Sequence, residues 1–276
     1  MNSFCELLSF GFLRNALLVG VLTAPALGVI GTLVVTKRIS SLAGASAHAA
    51  LGGMGIALYL ERVCHLAFIS PMHGAIFGAV GAAMIVGIIS LRAREREDTV
   101  IGVVWAIGMS AGLLFLARTP GYVDWQGYLF GNILLISQTD FLWMGILDCV
   151  ILIPAVICYR RIVAYFFDPE FAALRGIRGS ACYLSILALT ALTIVLLIHL
   201  VGIILVIALL TLPAATAGCF ARHLNTMMIA AAVLSMLFVA VGVVASFFLL
   251  LPTGPVIVVT AGIAYLGALI LRHFLR

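Results

Sequence analysis

Between Ser40 and Leu60 the only ionisable side chain is that of His48. The remainder is Gly, Ala, Ser and larger apolar residues, and at about 1.5 Å of rise per residue the stretch covers most of a bilayer. An imidazole can bind a transition metal, and an ionisable group inside a membrane helix is costly to desolvate, so by default it marks a cavity or an ion path. The other reading is packing: small neighbours let helices approach closely, and His48 then hydrogen-bonds a carbonyl between them. A second stretch with chemical capacity is Leu210 to Thr216. Pro213 removes a backbone hydrogen bond there and leaves a carbonyl free, with Thr211 and Thr216 within a turn. It reads either as a ligand shelf on a transport path or as a kink with satisfied hydroxyls.

The other candidates are less pointed. His65, His73 and His199 fall at outward segment ends and His223 and His273 at inward ones. A histidine at an interface is solvated without needing a ligand, although the outward group could concentrate a metal. Imidazole suits zinc, copper, nickel and iron, whereas magnesium would want carboxylates, which are scarce in these segments. Asp98-Thr99 reads as a helix cap with a dipole-complementing acid. The six cysteines are scattered without a Cys-x-x-Cys pair and read as packing residues, with Cys64 nearest a loop. No phosphate-binding loop, Gly-x-Ser-x-Gly or His-Glu-x-x-His is present, so the energy for any transport comes from elsewhere and the chain is not read as an enzyme.

The elements that must position these residues are membrane helices. In 276 residues the chain is 64% hydrophobic and 9% charged, with a mean hydropathy of +1.28, which excludes an ordinary soluble domain. Apolar runs of helical length recur without the alternation of a barrel, and a bilayer permits only those two solutions. The reading is an all-α, polytopic membrane protein of about nine transmembrane helices in a single domain, 1–276. The nine segments are Phe12 to Thr36, Gly44 to Leu60, Met72 to Leu91, Thr99 to Leu116, Asp140 to Tyr159, Ser180 to His199, Gly202 to Gly218, Thr226 to Leu251 and Gly254 to Leu271. The second and seventh look short, as helices that build midplane sites often are. No cleavable signal peptide is expected, so the first run should remain as a helix.

Basic residues orient the chain. Twelve of the fifteen Lys and Arg fall in alternate loops and the tail, and only Arg14, Arg62 and Arg118 on the other side. The positive-inside rule then places the amino terminus outside and the carboxyl terminus in the cytoplasm. The same distribution accounts for the net charge of +5 without nucleic acid as a partner. Two loops are long enough to carry structure. Arg118 to Asn132 is outward and aromatic, either an interfacial belt or a landing surface for a delivery protein. The inward stretch Asp168 to Ile177 has an N-cap acid, Pro169 at the first helical position, Glu170 in the first turn and Gly176 as a stop, which predicts a short helix.

Several stretches in order resemble the integral-membrane subunit of the zinc/manganese/iron family of ABC importers. They are Arg38-Ile39-Ser40-Ser41 through His48, Asp98 to Gly102, Gly127 to Ile133, Phe167 to Ala172, Val201 to Leu210 with Pro213 to Thr216, and Leu251 to Pro255. The resemblance implies a type II ABC-importer-like permease in a bacterial cytoplasmic (inner) membrane. Its partners would be a second permease copy or homologous permease, an ABC ATPase inside and a metal-binding protein outside. No permanently bound cofactor is implied; the divalent metal is the transported substrate, with His48 as its ligand. Asp168, Pro169, Glu170, Leu174 and Gly176 would form the coupling segment against the ATPase. Many members carry an Asp one turn before the histidine; here that position is Gly44, a form that also resembles a branch of the family. The alternatives are an ABC permease for a metal chelate or other small solute, and a stand-alone secondary transporter or channel.

Overall fold

The computed structural model describes residues 11–66, 68–92, 97–121 and 138–274, and among them every regular element is an α-helix. In chain order these are α1 (Gly11–Thr36), α2 (Ser40–Arg62), α3 (Pro71–Arg92), α4 (Glu97–Arg118), α5 (Gln138–Ile157), α6 (Tyr159–Phe167), α7 (Pro169–Leu174), α8 (Gly179–Val201), α9 (Ile203–Gly218), α10 (Leu224–Leu249) and α11 (Thr253–Phe274). Each of the nine apolar segments coincides with a helix, and α7 is the short helix expected after Asp168. Helix α6 was not expected. It is amphipathic, with Arg160 and Arg161 exposed and Ile162 buried, and so lacks the apolar run by which the spans are recognised.

Length corrects the span count. Among the described residues seven helices, α1 to α4, α8, α10 and α11, are long and apolar enough to cross a membrane, and α5 with α6 passes only as a bent pair, giving up to eight rather than about nine. Helix α9 has 16 residues, which extend about 24 Å against a hydrocarbon core of about 30 Å.

The breaks have local causes. At the start of α3, His73 N–H donates to Ser70 Oγ at 3.4 Å and Ser70 N–H donates to His73 Nδ1 at 3.3 Å, a reciprocal cap followed by Pro71 at the first helical position. Gly202, at φ +83°, separates α8 from α9. Helix α4 begins at Glu97, so Asp98 lies in the first turn rather than at the cap.

Backbone contacts divide the chain into two compact units, one of Met1–Arg38, Leu129–Tyr159 and Leu196–Arg276, the other of Ile39–Tyr128 and Arg160–Val195. In the first, α1 lies along α10 and touches α5, while α9 contacts α1, α10 and α11. Its buried centre includes Ala214, Ala217 and Ala231, with Val35, Met227, Ala230 and Leu234 packed against them. In the second, α2 is flanked by α3 and α4. Gly53 lies against the Gly74 carbonyl of α3, and Gly52 and Gly55 against the Gly108 and Gly112 carbonyls of α4, so close that a Cβ at any of them would overlap backbone. Lipid gives helices no hydrophobic reason to associate, so close backbone approach supplies the contact energy. It also makes α2, the helix of His48, the most buried of the seven spans.

Candidate functional site

His48 lies in the first half of α2, its ring half-buried and its Nδ1 enclosed with no hydrogen-bond partner. No carbonyl receives Nδ1 there. Leaving a buried polar atom unpaired costs about 1–3 kcal/mol. Across from it, the indole of Trp105 on α4 stacks on the imidazole with ring centroids 4.8 Å apart and planes 21° from parallel. The same indole fills the space beside Gly44, one turn earlier: a Cβ at 44 would stand 2.7 Å from Trp105 Cζ3 and 2.9 Å from Cη2. Among the described residues no three His, Cys, Asp or Glu side chains converge as a metal cluster.

An open groove of about 700 Å³ runs beside this region between α3 and α4, floored by Ala49, Gly52 and Gly53 of α2. Its walls include Phe77, Val103 and Ile107, and Thr99 is the one polar side chain among the described residues that line it.

Thr211, Pro213 and Thr216 belong to the other unit, within α9. Thr211 Oγ1 donates to the Ile207 carbonyl at 2.8 Å and Thr216 Oγ1 to the Leu212 carbonyl at 2.7 Å, so both hydroxyl protons are committed to their own helix. What Pro213 leaves is the carbonyl four residues back, that of Leu209, without its helical amide.

The segment from Asp168 to Ile177 is built as its residues require. Asp168 Oδ1 accepts from the Phe171 amide at 2.9 Å, Pro169 opens α7 and Glu170 stands in its first turn. At the other end Gly176, at φ +75°, donates its N–H to the Ala173 carbonyl at 3.0 Å while Ile177 N–H reaches the Ala172 carbonyl at 2.9 Å. These are the paired bonds of a left-handed C-terminal cap. Ala172 is fully buried and Leu174 is 87% exposed, so the helix is anchored on one side and presents an apolar knob on the other. Arg175 lies over the Phe171 ring at 4.9 Å.

Of the remaining histidines, His73 has its Nδ1 in the capping bond, and His65, His223 and His273 are exposed. The side chain of His199 and most of the aromatic stretch Arg118 to Asn132 fall outside what the structure describes. Three functional candidates went unremarked in the sequence. Trp105 gives no spacing signal, because nothing local pairs it with His48. Asp148 of α5 accepts a hydrogen bond from the amide of Ala26, directly after Pro25 in α1, at 3.2 Å. It is an acid in an apolar run, and the rule that singled out His48 would have found it. Glu97 accepts from the Tyr183 hydroxyl at 3.2 Å and so ties the start of α4 to α8.

The described residues form a many-spanned helical membrane protein with the imidazole of His48 in its most buried span. The chain belongs to the ABC 3 transport family, whose model matches residues 9–272. It is 38% identical over 247 residues, 89% of this chain and 84% of the relative, to a Chlamydia muridarum protein named "Probable metal transport system membrane protein". It is 29% identical over 260 residues, 94% of this chain and 90% of the relative, to the manganese transport system membrane protein MntC of Listeria innocua. Its fold matches PsaBC from Streptococcus pneumoniae, solved in complex with Fab, with a TM-score of 0.82 and 25% identity over 97% of this chain and 94% of that one.

Proposed function

We propose that this chain is the membrane-spanning subunit of an ATP-driven importer that carries a divalent transition metal ion, zinc, manganese or iron, across a bacterial cytoplasmic membrane. The observation that carries the reading is the enclosed, unpartnered Nδ1 of His48 within the most buried span. The family, and relatives named for metal and manganese transport, support it over a stand-alone transporter or channel. The chain works as one permease domain over 1–276, with its amino terminus outside and its carboxyl terminus in the cytoplasm, an arrangement that requires the short α9 to cross as a ninth span beside the eight that length alone allows. Its partners are an ABC ATPase, an extracytoplasmic metal-binding protein and a second permease, with closed two-fold symmetry or pseudo-symmetry as the expected form. The segment from Asp168 through Glu170 and Leu174 to Gly176 docks in the ATPase, where the chemistry of hydrolysis takes place. In α9, the Leu209 carbonyl freed by Pro213 is the pathway candidate beside Thr211 and Thr216.

The test is His48→Ala in the complex reconstituted with its ATPase and delivery protein. Metal uptake is expected to be lost while complex yield is unchanged. In the wild type, uptake should weaken as the medium is acidified, because a protonated imidazole has no lone pair for the metal. Normal uptake by His48→Ala would show that the metal path lies elsewhere.

A further inference from the structure

We propose that Trp105 is a specificity-determining residue, one that limits a metal ion at His48 to a single ligand from α2 and so favours zinc and iron over manganese. The inference rests on the reading of His48 as the metal ligand. A metal binds imidazole in the plane of the ring, through a nitrogen lone pair, so a ring stacked face to face at 4.8 Å and 21° leaves that bond free to form. What the indole closes is the adjoining turn. Residues 44 and 48 share a helix face at i and i+4. At 44 the outer edge of the indole stands where a side chain would begin, 2.7 and 2.9 Å from a Cβ. No carboxylate, amide or thiol can be held there while Trp105 is in place.

The indole supplies no substitute ligand. Its Nε1–H only donates, and its π face attracts a cation without coordinating it. The turn of α2 before His48 therefore adds no carboxylate to the imidazole nitrogen. Zinc and iron accept imidazole readily, whereas manganese is better served by carboxylate and carbonyl oxygen. The glycine at 44 and the tryptophan at 105 act as a pair: the first makes room for the second, and the second excludes an acid from the position of the first. Trp105 keeps 37% of its surface exposed, so a smaller ring there removes little of the packing that holds α2 to α4.

Competitive uptake of zinc, iron(II) and manganese by the reconstituted complex tests this, with complex yield and retained metal measured for each variant. Gly44→Asp alone should lower the yield and leave the ion preference unchanged, because its Cβ meets the indole. Trp105→Phe should assemble and keep the zinc and iron preference, since the shorter ring opens space but adds no ligand. Gly44→Asp with Trp105→Phe should raise manganese uptake relative to zinc by about tenfold or more, the scale on which ligand environment changes metal affinity. Zinc should also perturb the tryptophan emission of the wild-type complex, and that response should vanish in both Trp105→Phe and His48→Ala. A manganese gain in Gly44→Asp alone equal to that of the double variant would overturn the inference and leave the His48 reading standing. So would an unchanged ion ratio in an assembled double variant, or a zinc-transporting wild type whose emission ignores zinc. Normal uptake in His48→Ala would overturn both.

Discussion

Gly176 separates two requirements that a helix stop usually combines. Nothing stands within 4 Å of the place its Cβ would take, so a Cβ there meets no neighbour. The backbone, however, is at φ +75°, and an L-residue held in that left-handed region loses roughly 1–2 kcal/mol. In Gly176→Val that cost falls on a helix of six residues, too short to be stable by itself. The bonds from Gly176 and Ile177 back to Ala173 and Ala172 are then the first to open. At about 1.4 kcal/mol per decade, the closed-to-open ratio of the turn falls roughly 5- to 30-fold, and the apparent affinity for the ATPase falls by up to the same factor. Asn enters the left-handed region more easily, so Gly176→Asn should lose only a small part of this. Binding of the isolated ATPase to the permease in nanodiscs, read as Kd by biolayer interferometry, measures the effect. An unchanged thermal midpoint would show that the spans are intact. Wild-type affinity in Gly176→Val would refute the coupling assignment, and equal losses in Val and Asn would show that volume, not backbone conformation, is what the turn resists.

Two further outcomes are expected. Asp148→Ala should destabilise the permease in detergent by about 1–3 kcal/mol, because the Ala26 amide then has no acceptor beside the Pro25 kink, while Asp148→Asn keeps the acceptor and should stay near wild type; equal midpoints for the two variants would show that the bond adds no stability. In a chain keeping only the exposed Cys64, a membrane-impermeant maleimide should label intact cells, whereas a cysteine-free chain carrying Phe171→Cys should label only after permeabilisation; labelling of both from one side would overturn the proposed orientation.

The apolar runs located the spans because a bilayer leaves a helix no alternative way to satisfy its backbone, so hydropathy and structure coincide. Helix α7 was equally legible, since its cap, its proline and its glycine stop all lie within ten residues and act locally. Hydropathy was silent on α6, whose basic face hides its apolar one, and on whether the 16 residues of α9 suffice to cross. Least legible were the contacts between helices. In a soluble protein the apolar face of a helix points to the core, but in a membrane lipid and core are alike apolar, and neither face of α4 announces that Trp105 will meet α2. Gly44 illustrates the consequence. In the sequence it stands as an empty place one turn before a histidine, and the natural experiment is to fill it with an acid. In the structure the place is occupied by a ring from another helix. An acid introduced at 44 without a change at 105 tests packing rather than coordination, so a failed Gly44→Asp variant would say nothing about whether His48 binds metal. Only the paired substitution asks the chemical question.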